Sequence, residues 1–69
     1  MKELEIVITS PPDREHCVAE LWHNTKQVAE VFHDGESLQI EIYARPDQLP
    51  WRFLYKDFAE ALESLKNQL

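Results

Sequence analysis

Glycine is almost missing from this sequence, which has one among 69 residues, and cysteine and methionine each occur once. A single glycine excludes a glycine-rich phosphate cradle, and no GxSxG or Walker pattern is present. A single cysteine, Cys17, excludes an internal disulfide, which fits a reducing compartment. Apolar runs approaching the roughly 18 residues of a membrane-spanning helix are absent. The Met1-Lys2-Glu3 start leads into a short apolar alternation and not a signal-peptide core, so a cytoplasmic, soluble protein is expected. Basic residues are also scarce, at seven against thirteen acids, for a net charge of -6. Nucleic acids and anionic membranes are bound through Lys and Arg, so neither is an expected partner. A basic protein is. The same charge also serves simply to keep a small domain in solution.

The chain reads as one domain, residues 1–69. A domain this small buries only about 60% of its unfolded surface. Its core has room for one sheet face and one helix, and a deep catalytic pocket would compete for the same side chains. A non-enzymatic protein is therefore expected.

What is present is alternation. Leu4 to Thr9 alternates with period two and is rich in β-branched residues, as a strand does. Ser10-Pro11-Pro12-Asp13 ends it, because proline lacks an N–H and restricts the residue before it. Cys17–His23, Lys26–His33 and Ser37–Ala44 read as three more strands. Asn24-Thr25 separates the second and third. Asp34-Gly35 separates the third and fourth and is the strongest turn signal, since a two-residue hairpin loop needs positive φ. Arg45 to Pro50 is a loop, and Trp51-Arg52-Phe53-Leu54 reads as either a short fifth strand or an extended lead-in. Phe58, Ala61, Leu62, Leu65 and Leu69 then fall on one helical stripe in a helix of about fourteen residues. Asp57 and Glu60 have capping-box spacing, or Asp57 is a first-turn acid. The expected fold is α+β: a four-stranded antiparallel β-meander with one C-terminal helix packed on one face. Ile6, Val31, Leu38, Ile40, Ile42, Phe58, Leu62 and Leu65 are its expected core.

Three triplets, Glu20-Leu21-Trp22, Glu30-Val31-Phe32 and Glu41-Ile42-Tyr43, repeat the order acid, aliphatic, aromatic. On a strand the acid and the aromatic share a face, and the aliphatic points the other way. A loop at Asp34-Gly35 places Glu30 opposite Gln39 and Val31 opposite Leu38. Glu30, Phe32, Glu41 and Tyr43 then share one face, and the aliphatic residues share the other. The first hairpin leaves two pairings open. A two-residue Asn24-Thr25 loop puts Glu20 opposite Ala29 and turns Glu20 and Trp22 toward the core. A three-residue loop puts Glu20 opposite Glu30 and sends Cys17, Ala19 and Leu21 inward. Turn chemistry favours the first and hydrophobic pattern the second.

Few residues suggest chemistry. Glu20, Glu30 and Glu41 are carboxylates, but acid–base work needs a cleft that sets their pKa values apart. His16, Cys17 and His23 match no zinc spacing, so no metal and no cofactor is expected. Cys17 has no evident activating base and reads as a small buried hydrophobe. Trp51 and Phe53 read as a plug for the open end of the core, with Arg45, Trp51 and Arg52 as alternative partner anchors.

The run VAELWHNTKQVAEVFHDGESLQIEIYARPDQLPWRF, with the chain's size and acidity, resembles small acidic immunity and inhibitor proteins of bacterial toxin systems. That resemblance implies an acidic face blocking a basic enzyme such as a nuclease. The contact set expected from the residues themselves is Glu30, Phe32, Glu41 and Tyr43, with Glu20 and Trp22 added if they share the face. The alternative is a homodimer, structural or regulatory in role, formed through the same sheet face.

Overall fold

The computed structural model describes residues 4–13 and 16–69, so the Met1-Lys2-Glu3 start lies outside the described residues. Strands β1 (Leu4–Thr9), β2 (Val18–His23), β3 (Lys26–Asp34) and β4 (Ser37–Ile42) form one antiparallel sheet in sequential order. Helix α1 (Tyr55–Asn67) follows on one face. This is the expected α+β meander. Among the described residues 51–54 are not a fifth strand, and Cys17 and the 43–44 segment fall outside the strands.

The first hairpin satisfies both conflicting signals. His23 pairs with Lys26 across a two-residue Asn24-Thr25 loop, and Glu20 nevertheless faces Glu30. A bulge reconciles the two: Val28 is an extra residue opposite the Leu21/Trp22 step. A bulge lets two successive residues point the same way, and Val28 and Ala29 both enter the core cluster. Asn24 supplies positive φ, at 56°.

The second loop is Gly35-Glu36, not Asp34-Gly35, because Asp34 pairs with Ser37. Gly35 alone takes positive φ there, at 64°, at the first loop position as a type II′ turn requires. The correction moves the β3–β4 register by two residues. Glu30 faces Glu41 and Val31 faces Ile40. A shift of two preserves side-chain direction, so the expected division between faces is unchanged.

The inner face packs under α1. Ala19, Leu21, Val28, Ala29 and Val31 join Ala61 and Leu65, with Leu4, Ile6, Trp51, Phe53, Phe58 and Leu69 around them. The helix lies against β1 and β2. Four of the expected core residues are outside it: Leu38 is 42% exposed, Ile40 43%, Ile42 63% and Leu62 36%. The reason is width. A helix is about 10 Å across and strands are spaced about 4.8 Å apart, so one helix covers about two strands. Cys17, expected inside, is exposed. The helix starts without a side-chain cap at Leu54, so Asp57 is a first-turn acid and not half of a capping box. Lys66 in the last turn complements the helix dipole.

Trp51 and Phe53 close one end of the core. Their rings stack at 5.9 Å, Phe53 stacks on Phe58 at 5.6 Å, and His23 meets both edge-on. The Trp51 indole donates to the Tyr43 carbonyl at 2.9 Å. Arg45 lies over the Trp51 ring and pairs with Asp47 at 2.9 Å. Although desolvation works against it, the Leu49 N–H and the Arg45 charge hold the Asp47 carboxyl below its ordinary range.

Candidate functional site

The acid and the aromatic of each triplet project from the sheet face opposite α1, while the aliphatic Leu21, Val31 and Ile42 point to the inner face. Register sets the acids in a row: Val7, Glu20, Glu30 and Glu41 are successive cross-strand partners. Three carboxylates therefore stand side by side on three neighbouring strands. Like charges directly opposite one another destabilise a sheet, so the face must offset them.

It does so with Trp22 and Tyr43, the aromatic members of the first and third triplets. The Trp22 indole N–H donates to Glu20 Oε1 at 3.0 Å. The Tyr43 hydroxyl donates to Glu30 Oε1 and lies 3.4 Å from Glu41 Oε2. A phenol carries one proton, and the shorter contact assigns it to Glu30. Hydrogen bonds to charged groups are worth about 1.5–3 kcal/mol. In the first and third triplets the spacing thus has a local physical reason. Two residues along a strand brings an aromatic donor beside the acid that precedes it, or beside that acid's neighbour.

Glu30 is the centre of the row and only 9% exposed, although α1 covers the other face. The Tyr43 hydroxyl is held well above its ordinary pKa. The Glu30 hydrogen bond is the main cause, then burial, then the charges of Glu30 and Glu41. Ionising it would break that bond and add a further negative charge to the row. Phe32 sits half-buried in the adjoining cross-strand row with Gln39. Val18, in β2 on the same face, is fully buried.

The six expected contact residues are therefore brought together: Glu20, Trp22, Glu30, Phe32, Glu41 and Tyr43 share one face. Their accessibility differs. Glu41 and Tyr43 are exposed, Glu20, Trp22 and Phe32 are intermediate, and Glu30 is buried. The burial of Glu30 was not visible in the sequence. A loop at Asp34-Gly35 would set Glu30 against Gln39, and only the Gly35-Glu36 loop sets it against Glu41.

The other expected chemistry disperses. His23 is in the aromatic stack, away from His16 and Cys17, which border an open hollow with Asp13, Phe32 and His33. Among the described residues no group of three or more His, Cys, Asp or Glu side chains is placed to hold a metal ion. No helix among them is long and apolar enough to cross a membrane. Comparison with protein-family models, with curated proteins and with solved structures gives no match.

Proposed function

We propose that this chain is a non-enzymatic protein-binding module whose outer sheet face engages a basic protein surface, as an inhibitor or immunity factor would. The observation that carries this reading is the cross-strand row Glu20–Glu30–Glu41, bordered by Trp22, Phe32 and Tyr43. A rigid strip of negative charge steers a positive surface toward it, and adjoining aromatic area holds the complex once formed. The sheet fixes the acids before binding, so little ordering is left to do on association. A homodimer through this face is disfavoured, because it would set one glutamate row against another.

Binding to a defined panel of basic and acidic proteins, measured by biolayer interferometry at low and high salt, tests the reading. Basic members should bind, with association slowing as salt rises. Glu41→Lys should slow association, and Phe32→Ala should speed dissociation. Glu41 is the residue to reverse, since it is exposed while Glu30 is buried and bonded to Tyr43. Binding that ignores both salt and Glu41→Lys would overturn the proposal.

A further inference from the structure

Strand β4 is one of the sheet's two edges, the one α1 leaves uncovered, and every residue in it is exposed. Its inner-face side chains, Leu38, Ile40 and Ile42, are 42%, 43% and 63% exposed. Edge strands are usually protected from pairing by lysine, proline or a bulge. β4, with the sequence SLQIEI, has no lysine or proline, and its register with β3 is regular.

The backbone of β4 is also directed outward at those three residues. In an antiparallel ladder, residues alternate between exchanging both hydrogen bonds with a neighbouring strand and exchanging none. Asp34 and Ser37 flank a two-residue loop and so form a bonded pair, and the Tyr43 N–H donates to the Val28 carbonyl at 2.8 Å. Both fix the same phase. Ser37, Gln39, Glu41 and Tyr43 bond toward β3. Leu38, Ile40 and Ile42 present their N–H and C=O groups to the open edge.

We propose that β4 pairs antiparallel with the β4 of a second copy, about a two-fold axis through Ile40. The strand's own sequence selects that register. With Ile40 opposite the second copy's Ile40, Leu38 meets Ile42 on the inner face, and Glu41 meets Gln39 on the outer face. Each apolar residue has an apolar partner, no carboxylate faces another, and the outward backbone groups exchange about six hydrogen bonds. A shift by two in one direction sets Glu41 against Glu41, which like charge disfavours. A shift by two the other way leaves Ile42 opposite Glu36. The pairing joins two four-stranded sheets into one. It keeps the outer faces open and makes them continuous, so it is independent of the role given to the glutamate row.

Sedimentation equilibrium from low micromolar to millimolar concentration, with amide hydrogen exchange at both ends of that range, tests this. The expected result is a dimer in which the amides of Leu38, Ile40 and Ile42 gain protection with concentration, while those of Gln39 and Glu41 are protected throughout. Ile40→Lys, an exposed position that leaves the β3–β4 bonds intact, should raise the dissociation constant at least about tenfold. A monomer throughout the range overturns the proposal. So does a dimer whose protection appears on β1, or one that Ile40→Lys does not weaken.

Discussion

The Tyr43 hydroxyl, one residue past the end of β4, donates to the Glu30 carboxylate of β3 and thereby ties the middle of a row of three acids to the segment that follows β4. Removing that donor leaves a carboxylate that is 9% exposed without its phenolic partner. Tyr43→Phe should cost about 1–3 kcal/mol, read as a lower urea midpoint.

The same bond sets a pH dependence. The folded-state pKa of Tyr43 is raised above its unfolded value, so its contribution to stability is fully present below about pH 10. It is lost as pH rises from there toward the folded-state pKa. Urea midpoints measured from neutral to alkaline pH should fall through that window, and the fall should be smaller in Tyr43→Phe.

Leu65 and Leu62 make opposite predictions from one helix. Leu65 is fully buried, and Leu65→Ala should cost about 2–5 kcal/mol, a large part of the stability of so small a domain. Leu62 is 36% exposed at the edge of the stripe, so Leu62→Ala should cost clearly less. Denaturation midpoints of the two variants distinguish them.

At Gly35 the cost of a side chain is conformational and not steric. Among the described residues an added Cβ would meet nothing within 4 Å, but φ is +64°. Gly35→Ala should cost about 1–2 kcal/mol, and Gly35→Asn less. Thermal unfolding of the pair checks the order.

Among the described residues the buried hydroxyl oxygen of Thr9 has no hydrogen-bond partner. Replacing it by the near-isosteric valine removes a polar group whose desolvation is uncompensated. Thr9→Val should be neutral or stabilising by about 1 kcal/mol, measured by the shift in unfolding midpoint.

Much of this architecture is legible in the sequence because side-chain period and turn chemistry are local. The four strands, the helix and the sharing of a face by Glu30, Phe32, Glu41 and Tyr43 follow from them. The turn signal at Asp34-Gly35 lies one residue before the Gly35-Glu36 loop, and the resulting register difference of two keeps every side chain on the same face. The Asn24-Thr25 hairpin resisted a choice because both competing signals were right, and Val28 is the residue that lets them coexist. Leu38, Ile40 and Ile42 alternate as core residues do, but alternation says only that a face is apolar. Which strands a helix covers depends on where it docks, and α1 docks over β1 and β2.

The two tryptophans fall in separate environments: Trp22 bonds to Glu20 on the outer face, while Trp51 stacks with Phe53 at the end of the core. The molecule therefore carries two independent optical channels. With Trp51 replaced by phenylalanine, emission would come from the indole beside the glutamates and would respond to whatever occupies that face. With Trp22 replaced instead, it would come from the aromatic stack and follow unfolding. Occupancy of the acidic strip and integrity of the core can thus be read separately, one in each single-tryptophan variant and without an added label.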